Sequence, residues 1–220
     1  MYEVKAFRED RVEVMHALIA AHPLATLVVM TAQGLEANHI PMLVDPTPAP
    51  GREYGALRGH VARGNPLWHT FNANVEALAV FQGSQGYITP SWYPSKAQHG
   101  KVVPTWNYAM VHAYGPLVIH DDVAWLRSLV TDLTQTQELP RAKPWQVSDA
   151  PADYLDTMLK AIVGIEIPIR RLQGKWKMSQ NRLPQDRDGV ISALEAQGAQ
   201  GNETSRAMLA AMNTTDAKPT

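Results

Sequence analysis

Cysteine is missing from all 220 residues. That excludes disulfides, thiolate zinc sites, iron–sulfur clusters and cysteine nucleophiles, and it fits a reducing, cytoplasmic setting. Long apolar runs are missing too. No stretch approaches the roughly eighteen consecutive apolar residues of a membrane span, and the start, MYEVKAFREDRVEV, lacks the apolar core of a signal peptide. An excess of one charge is also lacking. Twenty Lys and Arg stand against 21 Asp and Glu, a formal net charge of −1, so no bulk attraction to DNA or to an anionic membrane follows. The nucleotide loops GxxxxGK(S/T) and GxGxxG do not occur, which argues against a nucleotide triphosphatase or a Rossmann dinucleotide site. HExxH and GxSxG are absent as well, leaving no support for a metal site or a serine nucleophile.

What is present is mostly strand pattern. Val12, Met15, Leu18 and Ile19 recur at helical spacing over residues 9–21, and His22-Pro23 ends that helix. LATLVVMT, a turn at Gln33-Gly34 and a partner run over residues 35–45 read as a hairpin. Further strands are expected over residues 54–62, 75–82, 87–89, 107–120 and 161–178, the last broken around Gly174. Helices are expected from a cap at Asp121 or Asp122 to Gln137, and over residues 152–160, 184–197 and 205–212, with the tail NTTDAKPT frayed. Six or seven strands with short links and marginal helices give a mainly β (α+β) fold, an antiparallel barrel rather than a doubly wound parallel sheet. Residues 1–198 read as one domain, and residues 199–220 as a C-terminal helix and tail.

Three segments carry candidate chemistry. In ARGNPLW, Asn65 caps and Pro66 opens a short helix whose free N–H groups, with Arg63 nearby, could seat a phosphate. The plainer reading is a capped helix with a solvated arginine. His39, His60 and His112 fall within strands, as satisfied barrel histidines or ligand-facing donors. The run SWYPSKAQHGKVVPTWNYAMVHAYG combines stiffening prolines, the flat faces of Trp92, Tyr93, Trp106 and Tyr108, and cationic Lys96 and Lys101. Far downstream, GKWKMSQNR gathers Lys175, Lys177, Ser179, Gln180, Asn181 and Arg182 around Trp176. The alternative for the aromatics is a subunit interface or a plug in the barrel mouth.

Taken together, LEANHIPMLVD, LRGHVARGNPLW, GYITPSWYPSKAQHGKVVPTWNYAMVHAYG and GKWKMSQNR make the chain resemble the PaiB-type family of FMN-binding negative transcriptional regulators, over residues 1–197. The resemblance implies a dimeric, FMN-binding split β-barrel of the pyridoxamine-phosphate-oxidase-like type, with FMN at the subunit interface. By position in that fold it implies cofactor contacts from His39, His60, Arg63 and Asn65, from Lys101, Trp106 and Asn107, and from Lys177, Ser179, Gln180 and Asn181 of the second subunit. It implies a homodimer acting on transcription, although no helix-turn-helix is evident and DNA contact does not follow from the residues. The competing reading is an oxidoreductase in which FMN passes electrons between a nicotinamide cofactor and a small acceptor. A third is a barrel holding haem or another anionic ring. No residue pair marks a catalytic acid or base.

Overall fold

The computed structural model describes residues 1–2 and 4–216. Nine strands form one sheet: β1 (Arg8–Glu9), β2 (Leu24–Thr31), β3 (Gly34–Asp45), β4 (Ala56–Ala62), β5 (Ala77–Ile88), β6 (Thr105–Gly115), β7 (Val118–His120), β8 (Ile162–Pro168) and β9 (Arg171–Lys177). Their order is β1-β9-β6-β5-β2-β3-β4-β8-β7, and the sheet is antiparallel. Seven helices accompany it: α1 (Val12–Ala21), α2 (Leu67–Thr70), α3 (Ser95–His99), α4 (Val123–Glu138), α5 (Ala152–Lys160), α6 (Pro184–Ala199) and α7 (Glu203–Asp216). Among the described residues no helix is long and apolar enough to cross a membrane. The chain divides into two compact units. Unit 1 comprises Met1–Met15, Gln82–Val111 and the chain from Gln173 onward; unit 2 comprises His16–Phe81 and His112–Leu172.

Unit 2 is built on the β2–β3 hairpin, in register from Leu24 opposite Pro41 to Thr31 opposite Gly34. Gly34 has a φ of +113°, which only glycine adopts at no cost. Ala25, Leu27 and Val29 point inward and are buried, joined by Leu57, Val163, Ile165 and Ile167 of β4 and β8. Each such large side chain contributes about 1.5–3 kcal/mol of burial. The alternate positions leave the other face of the hairpin and β5 apolar and open: Leu24 and Leu35 are exposed, and Val28, Met30, Leu78 and Val80 are half-buried. Asp122 caps α4 by accepting from the Trp125 N–H at 2.7 Å. The Trp125 ring then stacks on His120, with centroids 4.1 Å apart, over Gly164, where any Cβ would come within 2.3 Å of it.

In unit 1, β1 pairs with β9, Glu9 opposite Gly174. α6 and α7 form a helical hairpin whose seam buries Val190, Leu194, Met208 and Met212. The Arg11 guanidinium donates to the Thr214 carbonyl at 2.8 Å and pairs with the buried Glu9 carboxylate.

Several boundaries differ from expectation. The runs at 75–82 and 87–89 are one strand, β5, because QGSQG continues extended beside β6 instead of turning. The run 107–120 divides at Pro116 into β6 and β7. The break expected at Gly174 falls at Ile169-Arg170, where the backbone changes partners: Ile169 exchanges hydrogen bonds with Gly55 and Tyr54, and Arg170 donates to Tyr114. Gly174 instead serves close packing, since a Cβ there would lie 2.8 Å from the Met15 sulfur. The first helix starts at Val12, because Arg8–Glu9 is taken up as a strand. Residues 213–216 of the tail are helical, within α7, and residues 217–220 lie outside the described residues.

Candidate functional site

Four of the implied cofactor residues belong to unit 2. His39 is exposed on β3. His60, on β4, lines a groove of about 670 Å³ walled by Pro23, Leu24, Pro41, Leu133 and Trp145. Its Nδ1 is buried without a hydrogen-bond partner, and burial holds the imidazole below its ordinary pKa. Arg63 is committed within the fold. Its Nε donates to the Lys160 carbonyl at 2.7 Å, one terminal nitrogen donates to Ile162 at 3.0 Å, and both terminal nitrogens grip the Asp121 carboxylate. That pairing raises the guanidinium pKa and lowers that of Asp121. The Asn65 amide donates to Asn38 Oδ1 at 2.8 Å and accepts from the Leu67 N–H at 2.9 Å. The helix start in ARGNPLW is thus a single turn in which the Leu67 N–H is already paired.

The other seven belong to unit 1. Asn107 is fully buried on β6. Its Oδ1 accepts from the Ser179 hydroxyl at 3.0 Å, while its Nδ2 has no partner among the described residues. Ser179 is buried with a left-handed φ of +64°, in the turn that follows β9. The Lys177 ammonium donates to the Thr105 hydroxyl and to the Trp106 carbonyl, the latter at 2.6 Å. Burial, then the nearby Arg182 and Lys175 charges, lower its pKa. Gln180 folds back on the same turn, accepting from the Met178 N–H at 2.7 Å and donating to the Trp176 carbonyl. Thr105, Asn107, Lys177, Ser179, Asn181 and Arg182 enclose a polar pocket of about 50 Å³. Lys101 is exposed. Trp106 is 52% exposed and meets Tyr87 edge-on at 6.1 Å.

The aromatic run separates into a docked part and an open part. Tyr93 is buried, with the Arg182 guanidinium 4.9 Å from its ring centroid. Ser95 donates its N–H and hydroxyl to the buried Asp186 of α6, at 3.0 and 2.7 Å. Gly189 admits the Trp92 carbonyl against α6. Tyr93 is therefore a packing residue, and Trp106 is left as a free flat face. Thr105 and Arg182 line the polar pocket although the sequence reading did not include them among the cofactor contacts. Thr105 lies within the first motif and Arg182 ends the second, and only the fold brings them together.

The family described as "Putative FMN-binding domain" matches residues 1–171. The chain belongs to that family. GKWKMSQNR, which starts at Gly174, lies beyond the matched residues. Similarity to individual relatives extends further. The chain is 37% identical to an uncharacterized protein of Emericella nidulans, over 90% of this chain and 92% of that one. It is 33% identical to "Protease synthase and sporulation protein PAI 2" of Bacillus subtilis, over 89% of each. Among solved structures, a flavocytochrome of Azotobacter vinelandii matches with a TM-score of 0.57 at 11% identity, over 80% of this chain and 72% of that one. A conserved hypothetical protein of Mycobacterium tuberculosis matches with a TM-score of 0.56 at 12% identity, over 84% and 94%. At such identities the likeness is one of fold, and the fold is the antiparallel split barrel.

FMN is the cofactor of this FMN-binding family. Its phosphate needs cations and N–H donors, and its ring needs flat walls with a few polar groups. The residues fit those needs. Unit 1 offers Lys177, Arg182 and the unpartnered Asn107 amide, with Trp106 open. Unit 2 offers an apolar groove carrying one unpartnered imidazole nitrogen.

Proposed function

We propose that the protein is a homodimeric FMN-binding negative regulator of transcription that acts without reading DNA bases itself. The observation that carries the regulatory part is the 33% identity, over 89% of both chains, to a Bacillus subtilis protein named for protease synthase and sporulation. The open apolar face of β2, β3 and β5, with Leu24, Val28, Met30, Leu35, Leu78 and Val80, supports the dimer, since a contiguous apolar patch marks an interface. Charge supports an indirect route to DNA. The α6–α7 hairpin, the longest helical pair in unit 1, carries five carboxylates against two guanidiniums. A duplex would repel that pair, whereas DNA-binding helices are basic.

In this reading FMN is held by His39, His60 and Asn65, with Arg63 bracing their segment through Asp121, and by Lys101, Trp106, Asn107, Lys177, Ser179, Gln180 and Asn181. When bound, FMN supplies electron transfer; the chain's own side chains bind and orient it and shield it from water. The test is to delete the gene and compare transcripts, alongside the visible spectrum and solution mass of the purified protein. Flavin absorption bands, a mass about twice 24.3 kDa and a set of transcripts raised on deletion are expected. An unchanged transcriptome would remove the regulatory role. Sustained NAD(P)H oxidation by the purified protein with a small acceptor would replace it with an oxidoreductase.

A further inference from the structure

We propose that the polar pocket between the start of β6 and the turn after β9 is a seat for one oxyanion, the phosphate-type group of a phosphorylated ligand. Its walls supply donors and positive charge in excess of what the fold consumes. Asn107 is a fully buried residue of the pocket wall; its Oδ1 is used by Ser179, and its Nδ2 has no acceptor among the described residues. Buried amide donors without a partner are rare and ask for an explanation, a ligand among them. Two cations converge on the same space. Lys177 reaches only neutral oxygens, those of Thr105 and Trp106, and Arg182 lies over the Tyr93 ring; neither forms an ion pair among the described residues. An anion would meet every one of these needs, because charge-assisted hydrogen bonds to an oxyanion are the strong ones.

Size and backbone agree. About 50 Å³ holds one compact group and excludes a ring. Ser179 is the one non-glycine residue with positive φ among the described residues, and it fixes the turn that carries Asn181 and Arg182 to the pocket. Such strained positions concentrate at ligand clamps. Burial and neighbouring cations lower the Lys177 pKa, a repulsion that a bound anion relieves.

The proposal rests on the flavin reading in that Asn107, Lys177, Ser179 and Asn181 are common to both, and its test lets the two fail separately. Inorganic phosphate is titrated calorimetrically into the full-length protein, FMN-loaded and flavin-stripped, in a buffer free of other oxyanions. One saturable site per chain is expected. Lys177→Gln and Asn107→Asp should each weaken it by about tenfold or more, whereas Arg127→Ala, whose guanidinium pairs with Asp156 and does not line the pocket, should change it by less than about twofold. Asn107→Asp keeps the acceptor for Ser179; should that variant fail to fold, Arg182→Gln on the pocket wall takes its place. Binding abolished by FMN but not by riboflavin assigns the seat to the cofactor's own phosphate. Binding that persists in the FMN-loaded protein assigns it to a second phosphorylated ligand. Equal affinity in the wild type and the pocket variants, or no saturable site in either form, overturns the proposal. A protein with a full flavin spectrum and no phosphate site would fail this proposal alone.

Discussion

Arg63 in unit 2 and Lys177 in unit 1 both sit where a strand gives way to a turn, and both fall in motifs that read as anion-binding. Their surroundings differ. Arg63 meets Asp121, 58 residues away in sequence, and two backbone carbonyls, which together engage its Nε and both terminal nitrogens. Lys177 meets a hydroxyl and a carbonyl, lies near Arg182 and Lys175, and among the described residues has no carboxylate partner. A cation with its charge already balanced adds little to ligand affinity, because binding must first break the existing pair. A cation left unbalanced in a partly buried site is electrostatically primed for an anion. What decides between the two is a distant partner, and the spacing within the motif carries no trace of it.

The largest effect that would break this contrast comes from Gly189. A helix-interior glycine ordinarily gains up to about 1 kcal/mol on replacement by alanine. Here a Cβ would come within 2.1 Å of the Trp92 carbonyl oxygen and 3.0 Å of the Pro94 ring. Gly189→Ala should therefore destabilise by about 2–4 kcal/mol in urea denaturation. It should also lift the aromatic run off α6, with Asp186 losing Ser95. A gain in stability would show that the run is not docked on that helix, and the packing that frames the unit 1 pocket would have to be redrawn.

A smaller effect separates the units by pH. Burial lowers the pKa values of His60 and His112, both in unit 2. The unfolded chain then binds protons more readily than the folded one. Their contribution to stability is fully present above about pH 6.5 and is lost as pH falls from there toward the folded-state values. His60→Leu removes an imidazole whose Nδ1 has no partner. It should flatten the fall in stability between about pH 6.5 and 5 by up to about 1.4 kcal/mol per pH unit. Denaturation midpoints measured across that window give the slope, and an unchanged slope would mean that His60 takes up its proton in the folded state as easily as in the unfolded chain.

The hairpin, an aspartate cap at 121 or 122 and the period-two burial of β6 were legible because each rests on local pattern, namely alternation, a turn glycine and a capping carboxylate; that the cap is Asp122 is seen only in the fold. The length of β5 was not. QGSQG has the composition of a turn, and only the neighbouring strand keeps it extended. The candidate site divides the same way. Residue types in GKWKMSQNR and VPTWNY pointed to a charged ligand beside a flat one. That Gln180 would turn back on its own backbone, that Tyr93 would be buried under Arg182, and that Arg63 would close on Asp121 are outcomes of long-range contact. Local spacing does not encode them.

Ser179 offers the finest test, because its effects on folding and on binding should part company. An L-residue in the left-handed region costs about 1–2 kcal/mol, which Ser179→Gly relieves. Against this, the glycine loses the hydroxyl that donates to Asn107 Oδ1, a bond of about 0.5–1.5 kcal/mol, and adds about 0.5–1 kcal/mol of chain entropy to be lost on folding. The terms nearly cancel, so the melting temperature should stay within a few degrees of wild type. Phosphate affinity should still fall by roughly threefold, since the Asn107 amide is no longer held with its free N–H toward the pocket and must be ordered at binding. If stability rises clearly and phosphate binding is untouched, Ser179 is only a strained turn. The Asn107 amide then needs no anchor, and the pocket's donors are less organised than the contrast with Arg63 requires.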